Sequence, residues 1–193
     1  KRILFVDNND SFVHTLGDYV RQTGAEITTV RAGFPKEIFE QVSPDLVFIS
    51  PGPGSPEEFS VPELVGECIE RQLPIFGVCL GLQGIVLALG GELGILDYPM
   101  HGKSSVVSCN QQGIFKGFPQ NFIAGRYHSL YAIKENLPSC LEVSAETEDG
   151  VIMAIEHKSY PLAAVQFHPE SILTLKDNRG LTLVAQAMER LAT

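Results

Sequence analysis

The chain has 193 residues, 44% of them apolar and 19% charged, which is aliphatic enough for one core and too weakly charged for a disordered segment. Acidic residues outnumber basic ones 23 to 14, for a net charge of −9, and no basic run occurs. Phosphate contacts need clustered Lys and Arg, so this balance argues against nucleic acid as a partner.

The first half alternates between two periodicities. Ile3 to Val6 is a continuous apolar run of the kind found in buried parallel strands. Ser11 to Gln22 carries Phe12, Val13, Leu16, Tyr19 and Val20 at helical spacing, and Thr23-Gly24 supplies a stop. Glu26 to Val30 reads as a strand, Lys36 to Gln41 as a short helix, and Leu46 to Ile49 as another buried strand. Pro62 to Arg71 is a predicted helix with proline in its first turn, followed by a strand from Pro74 to Val78 and a helix from Leu80 to Leu89. Strand and helix in alternation, joined by short connections, predict a parallel sheet covered on both faces.

After Gly90-Gly91 the character changes. Ser104 to Ser108, Phe122 to Ala124, Leu141 to Ala145, Val151 to Ile155 and Leu162 to Phe167 are short and β-rich, separated by Gly, Pro or Asn, and predict antiparallel additions at one side of the sheet. A last helix, about Asn178 to Leu191, places Leu181, Val184, Ala185, Met188 and Leu191 on one face. With no linker or repeat, residues 1–193 read as a single α/β domain. It has a mostly parallel central sheet, helices on both faces and an added antiparallel β region.

Cys68, Cys79, Cys109 and Cys140 include no C-x-x-C pair that would mark a structural zinc or a dithiol site. No apolar run approaches the ~18–20 residues of a membrane span, so the expected setting is the cytoplasm, with no membrane partner. A start at Lys1, running almost directly into a strand, fits a processed subunit or a piece of a longer fused chain.

Ligands of open α/β sheets sit outside the carboxyl ends of the strands. At one such end stands Gly77-Val78-Cys79-Leu80-Gly81, with the logic of a nucleophile elbow: the reactive residue on a strained turn, and glycines two positions away on each side so that neighbouring backbone can pass closely. The following helix aims its free N–H groups at the sulfur, which favours a thiolate. A nucleophilic thiol needs a base and a group to orient it. His168-Pro169-Glu170 follows a predicted strand; proline keeps His168 extended, so the two side chains fall on one side. A carboxylate on one imidazole nitrogen fixes the tautomer and leaves the other nitrogen to move a proton. A third segment, Ser50-Pro51-Gly52-Pro53-Gly54, ends another strand on the same sheet edge. The N–H groups of Gly52 and Leu80 are the expected oxyanion donors, and the three parts together describe acyl transfer through a thioester. The other cysteines read as buried apolar residues. Asp7 and Asp10 read as helix-capping acids.

G-V-C-L-G-L-Q at 77–83, F-H-P-E at 167–170 and S-P-G-P-G at 50–54 resemble the class I, or triad, glutamine amidotransferases, and the likeness covers essentially the whole chain. The resemblance implies that Cys79 attacks the side-chain amide of glutamine and releases ammonia, with His168 and Glu170 completing a catalytic triad. By motif position it implies that glutamine is held by Gly52, Pro53, Gly54, Gln83, Ser129 and Leu130. It implies no metal or other cofactor in this domain, with Mg2+ only in a synthase partner. Val6 to Phe12 and Met100 to Lys103 further resemble the glutaminase parts of anthranilate synthase and of its relative, aminodeoxychorismate synthase. Asp10 to Leu16 with Arg21 to Ala25 is similar to the fused, single-chain anthranilate synthases in particular.

The likeness therefore implies a chorismate-binding synthase, as a subunit or domain, to receive the ammonia. Leu82 stands where many relatives carry a polar residue, often His. Other readings are a glutaminase serving GMP or carbamoyl phosphate synthesis, or a non-catalytic regulatory module. His168-Pro169-Glu170 also fits the H-x-E of zinc deaminases, but the P-C-x-x-C which that class needs is absent.

Overall fold

Each apolar run of the first half becomes a strand. In the computed structural model, which describes residues 1–174 and 176–193, β1 (Arg2–Asp7), β2 (Glu26–Arg31), β3 (Leu46–Ile49) and β4 (Ile75–Val78) alternate with α1 (Val13–Arg21), α2 (Glu37–Val42), α3 (Val61–Glu70) and α4 (Leu80–Ala88). The second half adds β5 (Leu93–Cys109), β6 (Asn121–Ala132), β7 (Leu141–Thr147), β8 (Ile152–His157), β9 (Leu162–Val165) and α5 (Arg179–Leu191). Among the described residues, nine strands share one sheet in the order β2-β1-β3-β4-β9-β8-β7-β5-β6. Pairing is parallel from β2 to β9 and antiparallel from β9 to β6. The last strand of the chain therefore lies directly beside β4, in the middle of the sheet.

Period-two alternation divides the core into two layers. Ile3 and Phe5, Leu46 and Phe48, and Phe76 and Val78 face α1 and α5, where Leu16, Val20, Leu183 and Val184 cover them. Leu4, Val6, Val47, Ile49 and Ile75 face the other way, against Phe39 of α2, Val65 of α3 and Ile85 of α4. Register in the parallel half is marked by an aromatic ladder. Phe5 sits opposite Phe48 and Phe48 opposite Phe76, with ring centroids 4.8 and 5.3 Å apart. Removing one such ring would cost about 3–5 kcal/mol. Among the described residues no helix is long and apolar enough to cross a membrane.

Three expectations need correction. β5 and β6 are far longer than Ser104 to Ser108 and Phe122 to Ala124, because their outer parts pair mainly with each other and stand in solvent: Ile95 is 76% and Tyr98 78% exposed. β9 ends at Val165, so Gln166 and Phe167 lie beyond the strand. On α5 the buried face is centred on Leu183, Val184, Ala187 and Met188, with Leu181 and Ala185 only partly covered at its flank.

Candidate active site

β4 and β9 end side by side, and the chemistry-bearing residues follow those ends. Val78 is in register with Val165, and the Cys79 N–H donates to the Val165 carbonyl at 2.7 Å. Cys79 holds φ +56°, a strained conformation for a residue with a β-carbon, at the point where the strand turns into α4. The flanking glycines make that turn possible. A β-carbon on Gly77 would lie 2.8 Å from the Gly81 backbone, and one on Gly81 would lie 2.8 Å from the Ile49 carbonyl oxygen. Leu80 is the first residue of α4, so its N–H has no acceptor within the helix.

His168 stands three residues beyond β9, fixed by its own backbone: its N–H donates to the Gly125 carbonyl of β6 at 2.9 Å, and its carbonyl accepts from the Thr174 hydroxyl at 2.8 Å. Its Nδ1 lies 2.5 Å from Glu170 Oε1. Its Nε2 is buried without a partner among the described residues, free for proton transfer. Burial opposes a charge on this imidazole, but the neighbouring Cys79 sulfur and the Glu170 carboxylate outweigh it and hold the pKa well above the ordinary value. The ring is packed edge-on against Tyr127 at 4.9 Å and Phe12 at 6.0 Å, which restricts its rotation. Cys79, His168 and Glu170 are thus brought together, each no more than 4% exposed.

The Gly-rich segment after β3 reaches the same place. Asn8, beyond β1, donates through its backbone N–H to the Ser50 hydroxyl and through its side chain to the Ser50 carbonyl, both at 2.9 Å, tying two strand ends together. Gly52 is pressed between Asn8 and Leu80: a β-carbon there would meet the Asn8 carbonyl at 2.5 Å and the Leu80 side chain at 3.0 Å. The two expected oxyanion donors therefore belong to neighbouring residues. Pro53 and Gly54 are exposed.

Gln83, one turn into α4, is buried, and its amide nitrogen is engaged by the Leu130 carbonyl at 3.2 Å and by Gln166 Oε1 at 3.3 Å. Ser129 on β6 is exposed, and the Leu130 carbonyl also takes a bond from His128. Leu82, on α4, is fully buried in the apolar layer that α4 shares with α2 and α3.

Several residues here were not singled out by sequence. Gln166, fully buried, places its amide nitrogen 3.4 Å from Cys79 Sγ, and the thiol reaches the Tyr127 carbonyl at 3.8 Å. Arg126, 2% exposed, bonds His128 and Ser105 from β6. Asp7 and Asp10 were expected to cap a helix, but the N-cap of α1 is Phe12 and no side chain caps it. Asp10 receives the Phe12 N–H at 3.1 Å just ahead of α1, while its own N–H donates to Asp7 at 3.1 Å. Burial and the Glu170 charge push the Asp10 carboxyl up to about 6. Cys68 and Cys109 are packed in the two core layers, and burial pushes the Cys68 thiol up to about 12.

The chain is 51% identical over 192 residues to an anthranilate synthase of Azospirillum brasilense, covering all of this chain and 26% of that protein. It is 43% identical to the aminodeoxychorismate/anthranilate synthase component 2 of Bacillus subtilis, over 89% of each chain. A solved glutamine amidotransferase of Thermotoga maritima shares the fold with a TM-score of 0.77 at 16% identity, covering 99% of this chain and 97% of that one. The family model of the class-I glutamine amidotransferases matches residues 4–186, and the chain belongs to that family.

Proposed function

We propose that this chain is a glutaminase that supplies ammonia to a chorismate-using synthase of the anthranilate type, in tryptophan biosynthesis. The observation that carries the chemistry is the meeting of the strained Cys79 elbow after β4 with the His168–Glu170 pair after β9. Cys79 Sγ attacks the amide carbon of glutamine, and the carbonyl electron pair moves onto oxygen, which the N–H groups of Gly52 and Leu80 receive. His168 takes the thiol proton and passes it to the leaving nitrogen, so the C–N bond breaks and ammonia departs, leaving a glutamyl thioester. Water then adds to the thioester, His168 accepting its proton. The C–S bond breaks with its electron pair on sulfur, and glutamate is released. Gly52, Pro53, Gly54, Gln83, Ser129 and Leu130 line the substrate position in this reading.

The choice of synthase is supported by likeness to the relatives named above, one of them only a quarter covered by this chain. The near-complete burial of Cys79 and His168 supports low basal activity that rises when the synthase docks. The experiment is glutamine hydrolysis by the chain alone and with each synthase, with and without chorismate, for wild type and Cys79→Ala. We expect weak hydrolysis alone, stimulation and anthranilate formation with the anthranilate-type synthase, and none from Cys79→Ala. Stimulation only by an aminodeoxychorismate-type synthase would move the chain to that pathway, and full activity of the Ala variant would end the proposed mechanism.

A further inference from the structure

We propose that Gln166 is a catalytic residue of this site, donating an amide N–H to the Cys79 sulfur from the end of a hydrogen-bond chain that begins at the buried guanidinium of Arg126. The proposal rests on the reading of Cys79 as nucleophile and adds a partner for its sulfur that neither the elbow nor the His–Glu pair supplies.

The direction of every bond in the chain follows from groups that can act in only one sense. Arg126 Nε–H can only donate, and it lies 3.0 Å from His128 Nε2. That nitrogen therefore carries a lone pair. Burial and the Arg126 charge, against the pull of the Leu130 carbonyl, push the His128 pKa down to about 4, so the ring is neutral with its proton on Nδ1. Nδ1–H donates to the Leu130 carbonyl at 2.7 Å. The same carbonyl can only accept, so the group that Gln83 turns to it at 3.2 Å is its NH2. That NH2 also faces Gln166 at 3.3 Å, which requires the Gln166 oxygen on that side. The Gln166 NH2 is left pointing at Cys79 Sγ, 3.4 Å away. Reversing either amide would set oxygen against oxygen or NH2 against NH2 in a buried place, so the orientation is over-determined.

An amide N–H beside sulfur favours the thiolate over the thiol, because a bond to the charged form is stronger. The proton moves from Sγ to His168 while the sulfur keeps its electron pair, which the Gln166 N–H steadies. Once the sulfur is acylated it is neutral and the bond weakens. When the C–S bond breaks and the pair returns to sulfur, the bond is regained. Gln166 thus serves both formation of the nucleophile and departure of sulfur from the thioester. A purely space-filling role for a fully buried side chain at this position would be met equally well by methionine.

The test uses the full chain and reads thiolate formation without glutamine. Alkylation of Cys79 by iodoacetamide is followed from pH 5 to 10 by peptide mass spectrometry, which separates it from Cys68, Cys109 and Cys140. The titratable and charged groups around the sulfur and its imidazole are His168 and Glu170 beyond β9, Arg126, Tyr127 and His128 on β6 and Asp10 ahead of α1; the variants alter none of them, and only Gln166→Glu adds a further carboxyl. In Gln166→Met the alkylation midpoint moves up by about one pH unit, and at pH values below the wild-type midpoint the rate falls about tenfold. Gln166→Glu, with an acceptor facing sulfur, moves it further.

Gln83→Leu leaves Gln166 in place but removes the clamp on its oxygen, and gives a smaller upward shift. It also keeps the test open should Gln166→Met not fold by circular dichroism. A folded Gln166→Met protein with the wild-type alkylation profile overturns the proposal, even if its glutaminase activity is lower. Failure of the glutaminase reading itself shows separately, as glutamine hydrolysis by Cys79→Ala.

Discussion

Replacing Asp10 with Asn should stabilise the fold above pH 6 and leave it unchanged near pH 4. Asp10 is half-buried beside the His168–Glu170 pair, and its carboxyl is raised from 3.8 to about 6, first by burial and then by the Glu170 charge. In the unfolded chain the same group ionises near 3.8. Between these two values the folded protein holds a proton that the unfolded chain has released, so stability falls as pH rises through that window and the full cost stands above pH 6. At about 1.4 kcal/mol per unit, the rise sets a ceiling of ~3 kcal/mol. Part of the carboxyl still meets solvent, and screening reduces the figure to about 1–2 kcal/mol.

Asparagine removes the charge and keeps an oxygen for the Phe12 N–H that the aspartate now accepts. Urea unfolding at pH 8 should place the variant's midpoint ~0.5–1 M above wild type, for a slope near ~2 kcal/mol/M. At pH 4 the two curves should nearly coincide. The same shift at both pH values, or a less stable variant at pH 8, would refute the linkage argument.

Two further perturbations probe the pair and the elbow. Glu170→Gln keeps the shape of the side chain but removes the charge that helps hold the His168 proton and tautomer. Glutaminase activity in the synthase complex should fall by about two to four orders of magnitude with the circular dichroism spectrum unchanged, and a loss of less than tenfold would contradict the role given to Glu170. Gly81→Ala forces a β-carbon to within 2.8 Å of the Ile49 carbonyl at the end of β3, directly before the Gly52 segment. It should cost about 1–3 kcal/mol in thermal or urea unfolding and lower the activity of the folded fraction, whereas wild-type stability would mean that the close approach of α4 to β3 is not obligatory.

Most of the parallel half was legible because β1, β3 and β4 are buried on both faces and therefore written as continuous apolar runs, whereas β2 is a largely exposed edge strand. β3 is found at the predicted residues, Leu46 to Ile49, and β1 differs by one residue at each end. The elbow was legible for a related reason, as a local motif directly after such a run, and His168-Pro169-Glu170 is a local motif that begins three residues beyond β9.

The β5–β6 arm was not. Its outer residues include Gly94, Pro99, Gly102 and Lys103, and strand structure there comes from pairing with β6 across bulges rather than from an alternating apolar face. The buried polar chain from Arg126 to Gln166 was equally silent. Arg126 and His128 alternate along β6 like any strand pair, Gln83 and Gln166 are 83 positions apart, and nothing in their spacing announces contact. Such residues become visible only when topology inserts β9, the last strand, between β4 and the antiparallel half. That insertion sets His168 beside Cys79, and β6 then passes over both ends, carrying Tyr127 and Leu130 to the sulfur and to Gln83. The two halves of the chain, which look like separate architectures in sequence, are therefore both required to assemble the site: the first carries Cys79, and the second carries His168, Glu170 and the groups that bond the sulfur.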